Sequence, residues 1–176
     1  MNVATVKKRD IANGPGVRVS LFVSGCTHRC PGCFNEIAWD FDYGTPFDEA
    51  AERDLLEALA PDYIQGLSLL GGEPFEPQNQ RALYCFLKKV RAAYPQKNIW
   101  CYSGYTWEEL TGKRQSRCRC EVTDEMLACI NVLVDGRFVQ EKRNIRLRFR
   151  GSENQRLIDL DKTREAGEIV LWDEKQ

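Results

Sequence analysis

At 176 residues the chain is long enough for one domain with a substantial core, and its 25 basic and 26 acidic side chains leave a net charge of −1, which excludes bulk electrostatic attraction to nucleic acid. No apolar stretch approaches the length of a membrane span, and residues 1–10 contain no signal-peptide core, so neither a membrane nor a secretory route is expected. Eight cysteines in such a chain point to a reducing, cytoplasmic setting where thiols serve metal or redox work.

The first predicted strand is Val17-Arg18-Val19-Ser20-Leu21-Phe22-Val23, which alternates and then turns apolar as it enters a core. The run Cys26-Thr27-His28-Arg29-Cys30-Pro31-Gly32-Cys33 follows directly. Thr45 as N-cap, Pro46 at the first position and Asp48 closing a box predict a helix, with Ala51, Leu55, Ala58 and Leu59 as its inward stripe. Residues 67–70 predict a short buried strand running into Gly71-Gly72-Glu73-Pro74. Leu83, Phe86, Leu87 and Val90 then recur at i, i+3, i+4 and i+7, one face of a helix. A strand is predicted over residues 98–102, a short helix from a Thr123 cap through Ala128, a buried strand over 130–134 and a further strand over 156–160.

This alternation favours an α/β fold with a largely parallel sheet and right-handed crossovers. Ligands in such sheets gather at the C-terminal ends of strands. The cysteine loop and the double glycine both fall at such ends, and are therefore expected to face the same side. The basic run over residues 113–120 reads as a solvated loop, with contact to an acidic partner as the sharper alternative. Of Cys85, Cys101, Cys118, Cys120 and Cys129, three lie inside apolar patterns and read as small buried hydrophobes.

The C-x3-C-x2-C spacing of Cys26, Cys30 and Cys33 brings three thiolates onto one short loop, where they can hold three corners of a cubic iron–sulfur cluster. Three protein ligands leave one iron open to a small molecule; four would make an electron carrier, and Cys101 is the best candidate for that fourth corner. The alternative is a zinc site. Zinc takes four ligands, usually as two half-sites, and the triplet has no second half-site unless Cys118 and Cys120 provide it. His28 lies too close to its neighbouring cysteines to be a natural fourth ligand. Gly71-Gly72 reads equally as a tight turn or as a place where backbone comes close to a ligand with no Cβ in the way. In the second case its carbonyls could accept hydrogen bonds from an amino group, and Glu73 adds an acceptor.

With the cysteine triplet after one strand and Gly71-Gly72-Glu73-Pro74 after the next, the chain resembles the radical S-adenosylmethionine enzymes. Asn13-Gly14-Pro15-Gly16-Val17-Arg18 is similar to the opening of the glycyl radical enzyme activases. Cys33-Phe34-Asn35, the stretch Asn131-Val132-Leu133-Val134-Asp135-Gly136-Arg137-Phe138 and the stretch Arg150-Gly151-Ser152-Glu153-Asn154-Gln155-Arg156 narrow the resemblance to the activating proteins of anaerobic (class III) ribonucleoside-triphosphate reductases. It spans residues 13–159.

The resemblance implies a [4Fe–4S] cluster on Cys26, Cys30 and Cys33, with S-adenosyl-L-methionine at its open iron and Gly71, Gly72 and Glu73 around the methionine end. It further implies an electron from a flavodoxin- or ferredoxin-type donor, and the anaerobic reductase as the protein whose glycine is activated. Many members of the superfamily place an aromatic residue immediately before the third cysteine; here that position is Gly32, and Phe34 offers the stacking surface instead. A full eight-unit barrel needs roughly 200 residues or more. The expectation is therefore a single radical SAM domain over residues 1–176, built as a partial, open (β/α) barrel. Two other readings remain at this point: an activase of another glycyl radical enzyme such as pyruvate formate-lyase, and a non-catalytic metal-binding module. Asp135 reads either as a cation or ribose ligand or as a turn former, Arg150 and Arg156 as contacts to a ligand carboxylate or to a partner protein, and Trp100, Tyr102, Tyr105 and Trp107 as core packing first and a partner-facing rim second.

Overall fold

The computed structural model describes residues 1–173. Seven strands, β1 (Asn2–Asp10), β2 (Val17–Val23), β3 (Thr45–Pro46), β4 (Ile64–Gly71), β5 (Asn98–Tyr102), β6 (Val132–Asp135) and β7 (Arg156–Asp159), form one sheet in the order β3-β1-β2-β4-β5-β6-β7. The four central strands β2, β4, β5 and β6 run parallel. Antiparallel pairs close both sides: β1 with β2, β3 with β1, and β7 with β6. The fold is thus mixed α/β: the parallel centre is as the alternation of elements predicts, and the antiparallel edges depart from the largely parallel sheet expected.

Five helices accompany the sheet: α1 (Glu49–Leu59), α2 (Pro77–Ala93), α3 (Trp107–Leu110), α4 (Thr123–Ala128) and α5 (Leu160–Ala166). Alternate strand residues (Val19, Leu21, Val23, Leu67, Leu69, Ile99, Cys101, Leu133) pack with Leu55, Leu83, Phe86, Leu87 and Val90 in one core under the helices. The period of two sends the other set to the opposite face. There Trp100, Val132, Val134 and Leu157 form a second cluster, covered by Phe149 and Trp172. The same face also carries polar residues that are fully buried, Arg18, Ser20 and Ser68. Trp100 and Tyr105 are buried and Trp107 is half-buried, consistent with core packing.

Several local expectations are corrected. Thr45 and Pro46 do not start a helix; they form β3 on the sheet edge, where the missing N–H of proline costs no ladder bond. Asp48 is the N-cap of α1, its Oδ1 accepting from Ala51 N at 2.9 Å. Thr123 lies inside α4, where its buried Oγ1 donates to Gln80 Oε1 at 2.7 Å and accepts from Cys120 N at 2.8 Å. The strand after α4 is Val132–Asp135, and β7 runs antiparallel instead of continuing the parallel series. Of the five cysteines outside the triplet, Cys101 and Cys118 are buried, whereas Cys85 sits on the exposed face of α2. The basic run over residues 113–120 is mostly exposed loop.

Candidate functional site

The four parallel strands deliver four loops to one end of the sheet: the cysteine loop after β2, Gly71-Gly72-Glu73 after β4, Ser103-Gly104 after β5 and Asp135-Gly136 after β6. They border a cleft of about 680 Å³ whose lining includes Cys26, Cys30, Cys33, Gly71, Gly72, Glu73 and Phe34. The predicted convergence of the two loops is therefore present, and all seven predicted site residues meet at one place.

Backbone bonds knit the loops together. Gly25 N donates to Ala38 O (2.8 Å), Cys26 N to Trp39 O (3.1 Å), and Glu73 N to Gly25 O (2.8 Å). The glycines serve that junction. Gly71 has a φ of +114°, and a Cβ on Gly72 would stand 2.5 Å from Gly25 O. The crowding that excludes a side chain comes from the cysteine loop itself.

Glu73 is the junction of the site. Its buried carboxylate accepts from Phe75 N (2.8 Å) and Ser103 Oγ (2.8 Å) on Oε1, and from Gly104 N (2.7 Å) and His28 Nε2 (3.0 Å) on Oε2. One side chain thus ties the cysteine loop to the ends of β4 and β5. Asn79 at the start of α2 reinforces it, donating to Ser24 O (3.0 Å) and Glu73 O (2.9 Å). The sequence reading gave Glu73 an acceptor's role toward a ligand amino group; in the structure both oxygens are engaged by protein donors.

Each cysteine sulfur has a backbone amide aimed at it. The amides of His28 and Arg29 face Cys26, the Phe138 amide faces Cys30, and Asn35 N donates to Cys33 Sγ at 3.4 Å. Burial, with the Glu73 charge beside it, pushes the Cys26 thiol up to about 12, and burial raises Cys30 as well. Thiolate ligation to a cation would therefore release protons from this loop, and the amides would then stabilise and tune the sulfur charge. Among the described residues no group of three or more His, Cys, Asp or Glu side chains is arranged to hold a single metal ion. His28 Nδ1 and Tyr102 Oη, both in the cleft wall, are buried with no hydrogen-bond partner among the described residues. Three thiols with aimed amides beside a cleft walled by unmatched polar atoms fit a thiolate-held cluster with a polar ligand next to it.

The other candidates fall elsewhere. Cys101 packs under the helices and Cys118 is buried in the same core, so neither joins the triplet. A Cys101→Ala variant is expected to keep the iron and sulfide content of the unmodified protein after anaerobic reconstitution; loss of iron in that variant would restore the four-ligand reading. Asp135 is neither open to a cation nor a bare turn former. Its buried carboxylate accepts from Trp107 N (2.8 Å) and pairs with Arg156, which also grips Glu108 at 2.8 and 3.0 Å. Arg150 lines the cleft, while Arg156 lies on an adjoining one. Phe34 is 83% exposed at the rim.

Residues 12–158 match the family model described as a 4Fe-4S single cluster domain. The chain is 43% identical over 157 residues to the anaerobic ribonucleoside-triphosphate reductase-activating protein of Pasteurella multocida, covering 88% of this chain and 95% of that protein. The chain belongs to this family of activating proteins. Another member, from Escherichia coli K12, is 43% identical over 148 residues, covering 83% of this chain and 90% of its own length. The member from Enterobacteria phage T4 is 38% identical over 157 residues, covering 89% and 93%.

Sequence reasoning missed several residues that hold the loops of the cleft together. Ser103 and Gly104 carry no motif. Nor does Glu76, whose carboxylate is 4% exposed and accepts from Thr27 N at 2.9 Å. Arg117, in the basic run, bonds Tyr105 Oη at 3.1 Å and also reaches Thr27 Oγ1. A buried acid just before a helix-initiating proline, as in Glu76-Pro77, is the one local signal that was there to be read.

Proposed function

We propose that this chain is a radical S-adenosylmethionine activase that generates a glycyl radical on an anaerobic ribonucleoside-triphosphate reductase. The observation that carries the proposal is the meeting of three amide-supported cysteines and the Gly71-Gly72-Glu73 loop in one cleft, in a chain of this family. Cys26, Cys30 and Cys33 would hold the [4Fe–4S] cluster. Gly71, Gly72 and Glu73 would bound the methionine end through their backbone, with Glu73 fixing that backbone to the cysteine loop. Phe34 would offer its ring to the adenine.

When bound, the reduced cluster and S-adenosylmethionine supply the chemistry: one electron breaks the sulfonium's bond to the 5′ carbon, and that carbon takes a hydrogen from a glycine Cα of the reductase. The chain's own residues position and enclose. Glu73, His28, Ser103 and Asn79 hold the loops at fixed separation, and the walls formed by Leu70, Trp39 and Phe138 limit water.

The reading takes residues 1–176 as one domain, the last three lying outside the described residues, with the sheet as a partial, open barrel. The separate edges β3 and β7 support that shape. An open side suits a substrate that is a loop of another protein. It also takes the electron donor to be a flavodoxin- or ferredoxin-type carrier and the setting to be cytoplasmic, supported by eight cysteines that are all free of disulfides. No described helix is long and apolar enough to cross a membrane.

The test is anaerobic. Protein reconstituted with iron and sulfide, reduced with dithionite and given S-adenosylmethionine is expected to form 5′-deoxyadenosine, and with the reductase present a glycyl radical seen by electron paramagnetic resonance. Cys30→Ala should bring both to background. Stoichiometric zinc at the triplet with no product would overturn the proposal.

A further inference from the structure

The loop that closes the cleft beyond β6 concentrates positive charge. Residues 137–150 hold six of the chain's 25 basic side chains and one of its 26 acidic ones, a net +5 in a chain that totals −1. Five basic side chains elsewhere are matched with acids, Lys8 with Asp54, Arg81 with Glu121, Lys89 with Glu52, Arg119 with Asp124 and Arg164 with Asp161, while exposed Lys7, Arg9, Arg53, Lys88 and Lys113 make no ion pair among the described residues. Here Arg137, Lys142, Arg143 and Arg146 are exposed and make no ion pair among the described residues. Ile145 stands among them at 87% exposure. Crowding unmatched like charges destabilises a fold, so a patch of this kind calls for a compensating anionic surface.

The patch sits against one corner of the cluster loop. The Phe138 amide faces the Cys30 sulfur, and the Arg137 charge acts on the same sulfur. Phe138, Arg143 and Ile145 line the cleft together with Cys30, so a carrier seated on this loop would stand at the cleft's Cys30 side. We infer that residues 137–146 are the docking surface for an acidic one-electron carrier protein of the flavodoxin type, with Ile145 as the apolar anchor. The inference rests on the activase reading, since only that reading requires an electron from outside. In the encounter one electron leaves the carrier and one enters the cluster, with no atom transferred.

Redox encounters are small and steered by charge, which unmatched cations around a single exposed apolar side chain provide. A protein substrate whose glycine must be held inside the cleft needs a broader apolar contact. Phe34 and Ile37, 83% and 58% exposed on the cysteine-loop side, offer a start to one.

The experiment uses the reconstituted protein with flavodoxin as the probe, following cluster bleaching by stopped flow. With reduced flavodoxin, Lys142→Glu/Arg146→Glu is expected to slow bleaching by about tenfold or more, and the unmodified protein should slow steeply as salt rises. With dithionite the variant should bleach at the unmodified rate, which also shows that it folds and holds its cluster. The charge-preserving Lys142→Arg/Arg146→Lys should behave as the unmodified protein with both reductants. Flavodoxin-driven bleaching at an unchanged rate in the charge-reversed variant would overturn the inference. So would a loss of affinity for the reductase alone, which would assign the patch to the protein substrate. Failure of the activase reading would look different: no 5′-deoxyadenosine from the unmodified protein under dithionite, whatever the patch does.

Discussion

Replacing Glu73 by glutamine is expected to destabilise the protein by about 1–3 kcal/mol, the range for one buried donor left unsatisfied. The isosteric change has no good orientation. With its NH2 on the Oε1 side it meets Phe75 N–H, a fixed backbone donor, although the Ser103 hydroxyl there can rotate to accept. With its NH2 on the Oε2 side it meets Gly104 N–H, although His28 there can change tautomer. Either way one backbone amide faces another donor. Glu73→Ala removes the acceptor from all four donors, and its cost should reach about 3–5 kcal/mol, as for breaking a buried charged pair. For a chain of this size each kcal/mol lowers Tm by about 2–4 °C, so anaerobic thermal unfolding separates the two variants. The functional consequence follows from the same geometry. With the β4 end no longer tied to His28 and Ser103, kcat/KM for S-adenosylmethionine should fall by at least about tenfold, corresponding to 1.4 kcal/mol of transition-state binding. Iron content should persist in Glu73→Gln, because the three thiols are untouched. A glutamine variant with unchanged Tm and turnover would show that the carboxylate's charge is dispensable.

What could be read beforehand followed from local pattern. The strands at residues 17–23 and 98–102 and the helix carrying Leu83, Phe86, Leu87 and Val90 have clear periodicity, and the spacing of the cysteine triplet points to thiolate ligation, with the choice of cluster over zinc coming from the family resemblance. What was missed depends on partners distant in sequence. β1 is an outer strand with exposed Lys7, Lys8 and Arg9 and little apolar alternation; its partners, β2 and β3, make it a strand. Pro46 satisfies the rules for a helix start and for an edge strand equally well, and only pairing with Asn2 distinguishes them. Glu73 was identified as a site residue, but its work was not, because two of its donors, Ser103 and Gly104, lie 30 and 31 residues away. Asp135 likewise resembled a turn former because Arg156, 21 residues on, and the α3 amide of Trp107, 28 residues back, occupy it.

Arg18 belongs to the stretch that linked this chain to the activases, and the structure gives the residue a scaffold's role. It is fully buried on the inner face of the sheet. Nε donates to Ser68 Oγ (2.7 Å), Nη1 to Asn98 Oδ1 (2.7 Å) and Nη2 to Leu67 O (2.8 Å), so one guanidinium spans β2, β4 and β5. It also lies 5.6 Å from the Trp100 ring. Burial lowers its pKa to about 10, a sign that desolvation opposes the charge, which has no acid in hydrogen-bond contact. Ser68 in turn donates to Asn13 O at 2.6 Å, holding the turn before β2 against the cleft floor. Arg18→Met fills similar volume but orphans several buried acceptors, each worth about 1–3 kcal/mol, partly offset by the relieved desolvation. The expected net loss is about 2–4 kcal/mol, a fall in Tm of about 4–16 °C. Arg18→Lys should lose nearly as much, because a point charge cannot reach three acceptors on three strands. No atom of Arg18 lines the cleft, so both variants reconstituted in the cold should carry the unmodified protein's iron and cleave S-adenosylmethionine at its rate. A methionine variant more stable than the unmodified protein would mean that desolvation of the charge outweighs its hydrogen bonds, leaving the activase stretch without a stabilising role at this position.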